Sequence, residues 1–161
     1  MTALIIGWGN PIAGDDGLGW KAAELVREHV GRAGPAEVVT TALGALRVAE
    51  RMLGHDRVVV LDAAVNTEGS EIVRTVIRPR EIEAADGGPI GHDGSLIDAV
   101  RALRRLGADG LPDEIVLYGA PIAVPRDWED RPSTSMEEAA ARLARAALAE
   151  LVFGRKEAAV V

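Results

Sequence analysis

Asp15 and Asp16 close a glycine-rich loop, Gly7-Trp8-Gly9-Asn10-Pro11-Ile12-Ala13-Gly14-Asp15-Asp16-Gly17, that follows an apolar run at residues 2–6. A strand, a glycine loop and a helix in succession ordinarily seat an anion on the helix N-terminus. Carboxylates at that place suit a cation instead, which makes Asp16 a candidate metal ligand. The alternative is that both acids cap the helix and complement its dipole. A second carboxylate, Asp62, ends the run Arg57-Val58-Val59-Val60-Leu61-Asp62, and His92 lies in the glycine-flanked loop Gly91-His92-Asp93-Gly94-Ser95. The bland reading of His92 is a solvent-facing loop residue; the chemical one is a ligand or base. Two carboxylates and an imidazole form an open, oxygen-rich set. It suits Ni²⁺, Zn²⁺, Mn²⁺ or Fe²⁺, completed by water or by groups from a partner. The other histidines read as structural: His29 on the expected apolar stripe of the first helix, His55 in a Gly-His-Asp turn.

Competing chemistries fail on their residues. A dinucleotide fingerprint starting at Gly7-x-Gly9 needs glycine at position 12, which is Ile12, and Pro11 removes a backbone donor from the loop. The second strand ends in Thr40-Thr41, where a ribose-binding enzyme would carry an acid. There is no Gly-x-Ser-x-Gly elbow and no His-Glu-x-x-His helix. The absence of cysteine excludes disulfides, thiolate metal sites, iron–sulfur clusters and a cysteine nucleophile. A net charge of −7 argues against a nucleic-acid partner. Arg101, Arg104 and Arg105 are expected on a solvated outer helix face.

The elements that must position the acids alternate. Strand 2–6 leads to a helix at 16–30 with its stripe on Leu18, Ala22, Leu25 and His29; then come strand 37–41, a short helix at 46–53 and strand 57–62. Strand 71–77 has a connection short enough to be antiparallel. A loop at 84–94 precedes helix 95–106, for which Ser95-x-x-Asp98 offers the cap, and strand 114–119 follows. After a loop at 120–132, Ser135-x-x-Glu138 reads as a capping box, with Met136, Ala140, Leu143, Ala147 and Leu151 as the core stripe. Strands alternating with helices predict a three-layer α/β fold. In such sheets ligands bind beyond the carboxyl ends of the strands at a switch in strand order. With order 2-1-3, that switch would bring Asp16 and Asp62 to one crevice. The 161 residues fit one domain over 1–154, with a frayed tail at 155–161. No apolar run of roughly 18 residues and no signal-peptide pattern is present, so a cytoplasmic protein without a membrane segment is expected.

Taken together, Gly7-x-Gly9-Asn10-Pro11, Asp15-Asp16-Gly17-x-Gly19, Val60-Leu61-Asp62-Ala63 and Gly91-His92-Asp93 resemble the hydrogenase maturation endopeptidases, over residues 2 to about 150. The resemblance implies a twisted, mostly parallel five-stranded sheet with helices on both faces. It implies an endopeptidase that removes the C-terminal extension of a nickel–iron hydrogenase large-subunit precursor, and a monomer. By position, the family's metal ligands fall on Asp16, Asp62 and His92, which would also be the catalytic residues. The nickel would be supplied by the substrate, with Zn, Mn or Fe as possible surrogates. One departure stands out: where the family carries an Asp-Gly-Gly-Thr-like run, this chain has Thr40-Thr41-Ala42-Leu43 and then Gly44. That puts substrate selection in question, with the loop around Trp128 as a candidate compensating contact. It also leaves open a non-catalytic nickel-loading checkpoint or chaperone on the same fold. Peptidyl-tRNA hydrolases share a Gly-x-Gly-Asn-Pro start, but they follow it with a histidine-containing segment and favour a basic surface, both missing here.

Overall fold

The computed structural model describes residues 3–31, 34–65, 71–82, 95–122 and 135–157. Within them a five-stranded sheet is built from β1 (Ala3–Trp8), β2 (Ala36–Thr41), β3 (Arg57–Val65), β4 (Val73–Ile77) and β5 (Glu114–Ile122). The helices are α1 (Leu18–Val30), α2 (Ala45–Arg51), α3 (Leu96–Arg105) and α4 (Met136–Glu157), with short 3₁₀ turns at Gly14–Gly17 and Pro79–Glu81. The strand order is β2-β1-β3-β5-β4, all neighbours parallel except the edge pair β4–β5. The expected 2-1-3 order and the antiparallel edge strand are both present.

The apolar runs at Leu4-Ile5-Ile6 and Val58-Val59-Val60-Leu61 are buried on alternate faces of the sheet, as befits central strands covered on both sides. Leu4, Ile6, Val58 and Val60 meet α2 and α3 through Val48, Met52, Val100 and Leu103. Ile5, Val59 and Leu61 meet α1 and α4 through Leu18, Val26, Leu143 and Ala147. Each fully buried Leu, Ile or Val contributes about 1.5–3 kcal/mol of burial free energy. The two faces together are therefore the main support of the fold.

Several boundaries differ from the sequence reading, each for a physical reason. Strand β1 runs on through Gly7 and Trp8, which pair with Thr40 and Thr41. Gly7 lacks a side chain because α1 crosses it: a Cβ there would collide with the Gly19 carbonyl and the Ala23 methyl. Strands β3 and β5 extend past Asp62 and Gly119 as one paired ribbon to Val65 and Ile122. The buried stripe of α1 is Leu18, Ala22, Ala23 and Val26, whereas Leu25 is half-buried and His29 is exposed. Small residues bring the helix close to the strands and rotate the stripe away from His29. Ser95 caps α3 as its pattern indicates, its Oγ accepting the Asp98 backbone N–H at 3.3 Å. Arg104 is exposed, as expected for the outer helix face, and its guanidinium also donates to the carbonyls of Pro79 and Ile82, tying the turn after β4 to α3. Helix α4 continues to Glu157, past the start of the expected tail. Among the described residues no helix is long and apolar enough to cross a membrane.

Candidate functional site

The crevice opens where β1 leaves the sheet. The last β1–β3 pair is Gly7 with Leu61, and Asp62 is the next residue on β3. It therefore stands not at the end of its strand but at the first position whose β1 neighbour has turned away. That turn needs Gly9, whose φ of 135° and close approach to the Asp16 carbonyl admit no side chain. Asn10 shapes the rest of the loop, its side-chain oxygen accepting the Ile12 N–H at 3.2 Å and its carbonyl accepting the Ala13 N–H at 3.1 Å. The chain then winds into the 3₁₀ turn that carries Asp16. Further along, Gly19 lets α1 rest directly on the strand ends, because a Cβ there would meet the carbonyls of Trp8 and Leu61.

Asp16 and Asp62 line the same crevice, a space of about 360 Å³ that is also bounded by Trp8, Asn10, Leu43, Gly44 and Ala63. Asp16 reaches back across its own loop, Oδ2 accepting the Asn10 N–H at 2.8 Å. It caps neither the 3₁₀ turn nor α1, at both of which no side-chain cap bond forms. The capping half of the alternative therefore does not describe this residue, while its charge, like that of Asp15, does lie in the first turn of the 3₁₀ segment that leads into α1. Its carboxylate occupies a loop N–H that a phosphate would have needed, in keeping with a cation-binding rather than anion-binding loop. Asp62 accepts the Ala63 N–H on Oδ1 at 2.8 Å. Among the described residues, the second oxygen of each carboxylate accepts no hydrogen bond.

Burial pushes the Asp62 carboxyl up to about 7 from 3.8; the Ala63 N–H opposes this and the negative charge of Asp16 adds to it. Two carboxylates sharing a half-buried crevice resist both being ionised at neutral pH. A divalent cation would remove that conflict, and the oxygen donors present fit such an ion. His92 lies outside the described residues, as does the loop carrying Trp128. Among the described residues no group of three His, Asp or Glu side chains comes together. The structure thus brings together two of the three residues expected from the sequence.

The stretch expected at the crevice, Thr40 to Gly44, supplies its opposite wall through its second half. The crevice is lined not by Thr40 and Thr41 but by Ala42, Leu43, Gly44 and Ala45. Thr41 is buried, and its hydroxyl accepts the Leu43 N–H at 3.1 Å, so it offers nothing to a substrate. Two indoles that the sequence did not single out hold this segment: Trp8 Nε1 donates to the Leu43 carbonyl at 2.8 Å, and Trp20 Nε1 to the Thr41 carbonyl at 3.1 Å. The available signal was the rarity of aromatic residues, 3% of the chain, with two tryptophans flanking one loop. His55 is structural, as expected, its Nε2 lying 3.3 Å from Glu37.

No protein-family model and no curated protein matches the chain by sequence. Solved structures do match. An endopeptidase from Escherichia coli superposes with a TM-score of 0.69 at 22% identity, covering 99% of this chain and 95% of that one. The hydrogenase maturating endopeptidase HybD from Escherichia coli gives 0.68 at 20% identity, over 96% and 94%. The [NiFe] hydrogenase maturation protease HycI from Thermococcus kodakarensis gives 0.59 at 25% identity, over 93% and 91%. The fold is that of the hydrogenase maturation endopeptidases. In this maturation-endopeptidase fold the crevice with Asp16 and Asp62 lies at the carboxyl edge of the sheet, where strand order reverses between β1 and β3.

Proposed function

We propose that the chain is a hydrogenase maturation endopeptidase that removes the C-terminal extension of a nickel-loaded large-subunit precursor. The observation that carries this reading is the meeting of Asp16 and Asp62 in one crevice, on the fold of those enzymes. The nickel belongs to the substrate. Asp16, Asp62 and His92 are the residues proposed to touch it, and a metal so held would polarise the scissile carbonyl. Asp16, anchored on the Asn10 N–H, fixes one side of the crevice. Alternatively, with no metal bound to it, Asp62, whose burial holds its carboxyl near 7, would take a proton from the attacking water and return it to the leaving amine. Water then divides across the C–N bond, hydroxyl to the acyl carbon and hydrogen to the nitrogen. In this reading the protein acts in the cytoplasm as a monomer.

The test is incubation with a nickel-loaded and a nickel-free large-subunit precursor, followed by mass spectrometry. Loss of the C-terminal extension from the loaded precursor alone is the expected result. Tight binding of the loaded precursor without cleavage would overturn the protease reading in favour of a nickel-loading checkpoint.

A further inference from the structure

Asn10 is fixed at every polar group but one. Its N–H donates to Asp16 Oδ2 at 2.8 Å, its carbonyl accepts the Ala13 N–H at 3.1 Å, and its Oδ1 accepts the Ile12 N–H at 3.2 Å. A backbone N–H only donates, so the amide atom facing Ile12 is the oxygen, and Nδ2 is turned away from it. Pro11, next in the chain, fixes its own φ and stiffens the turn. Nδ2 has no partner among the described residues, yet it is not one of their buried unpaired side-chain atoms, which are His55 Nδ1 and Arg101 Nε. Both its N–H bonds are therefore open to whatever enters the crevice that Asn10 lines. Donors nearby are spent: the Gly9 N–H on the Thr41 carbonyl, the Ala63 N–H on Asp62, and Trp8 Nε1 on the Leu43 carbonyl. Among the described residues, Nδ2 is thus the one uncommitted side-chain N–H donor on the lining.

We propose that Asn10 is a further catalytic residue: its Nδ2 donates to the oxygen of the scissile carbonyl and holds the negative charge that builds there. The proposal rests on the protease reading above and adds a residue to it. As water adds to the carbonyl carbon, the C=O π pair moves onto the oxygen and the water gives up a proton. When the pair returns, the C–N bond breaks and its electrons leave on the nitrogen, which takes up that proton. Between those two events an anionic oxygen stands in a crevice whose charged side chains are Asp16 and Asp62, both of which repel it. A neutral N–H fixed in place before the charge appears costs no reorganisation, and it favours the charged oxygen over the carbonyl it came from. The three bonds that fix Asn10 are what keep this donor in place.

The experiment follows binding and cleavage of a nickel-loaded large-subunit precursor by the wild type and three variants, with a thermal melt of each. Asn10→Ser and Asn10→Asp keep an oxygen for the Ile12 N–H and lose Nδ2, serine without the charge that aspartate adds; Asn10→Ala loses both. All three should lower kcat about 10²- to 10³-fold, the range for one such donor, with the dissociation constant of the precursor within about threefold of wild type. An unchanged dissociation constant also shows that Asp16 and Asp62 still meet the precursor. If Asn10 only shaped its loop, Asn10→Ser and Asn10→Asp would cleave like wild type and Asn10→Ala alone would fail, which would overturn the proposal. So would a loss of affinity at unchanged kcat. Should Asn10→Ala melt early, the two variants that keep the oxygen decide. A wild type that binds the precursor and never cleaves it would remove the protease reading and this role with it. Variants that cleave as fast as a cleaving wild type would remove this role alone.

Discussion

Asp62 should make the protein less stable as pH rises, and Asp62→Asn should abolish that loss. The folded carboxyl titrates near 7 and an unfolded one at 3.8, so between those values the folded state binds more protons than the unfolded state. Stability is then lost as pH climbs from about 4 to about 7 and levels off above. Asparagine stands in for the protonated acid and can still accept the Ala63 N–H through its amide oxygen. Integrating the proton difference gives an advantage of asparagine over wild type of about 2 kcal/mol at pH 5 and about 4 kcal/mol at pH 8. Part of this is offset by water entering the open crevice, so a gain of about 2 kcal/mol or less between the two pH values is the working expectation. Urea denaturation of both proteins at pH 5 and pH 8, with chelator present, measures it. Asp16→Asn should recover a smaller share of the same penalty, since the neighbouring charge adds less than burial does. A difference between wild type and Asp62→Asn that does not change between pH 5 and pH 8 would refute the reasoning.

Asp16→Asn, Asp62→Asn and His92→Ala are each expected to stop precursor processing while circular dichroism stays native; wild-type-like cleavage by any of them would remove that residue from the mechanism. Glu150→Ala should cost about 2–3 kcal/mol in denaturant unfolding, because Arg57 and Tyr118, each 2.6 Å from this 10%-exposed carboxylate, would lose their acceptor, while the more exposed Arg74 turns to water. Gly19→Ala should destabilise by about 3 kcal/mol or more and weaken precursor binding with it, since the new methyl pushes on the carbonyls of Trp8 and Leu61 at the crevice; an unchanged melt would show that α1 can slide.

The sheet was legible because its inner strands are short, continuous apolar runs between glycine and proline punctuation, and the alternation with helices leaves few ways to order them. The meeting of Asp16 with Asp62 followed from that order rather than from either local motif. What the sequence obscured came from residues whose usual meaning was reversed by context. Gly7 and Pro121 look like strand breakers, yet both lie inside paired strands because their neighbours supply the register. Arg104 is the exposed charge that it looks like, yet its Nη1 also donates to two carbonyls of a turn 22 and 25 residues away. The role of Thr41 and the two indoles depends on which carbonyl each donor reaches, which no periodicity encodes. His92 and the Trp128 loop lie outside the described residues, so the third expected ligand rests on sequence alone.

Helix α4 has a consequence for how the protein is made. It supplies Ala140, Leu143, Ala144, Ala147 and Leu151 to the face of the sheet that α1 covers only in part, and Glu150 binds β3 and β4 through Arg57 and Arg74. During synthesis, β1 through β5 are complete before any of these residues leaves the ribosome. Until then Val59, Leu61, Val116 and Tyr118 have one side of their layer open, and the emerging sheet is a sticky intermediate rather than a domain. The nascent chain therefore closes this layer only when α4 is free to dock, although every residue that lines the crevice, from Trp8 to Ala63, has been made long before.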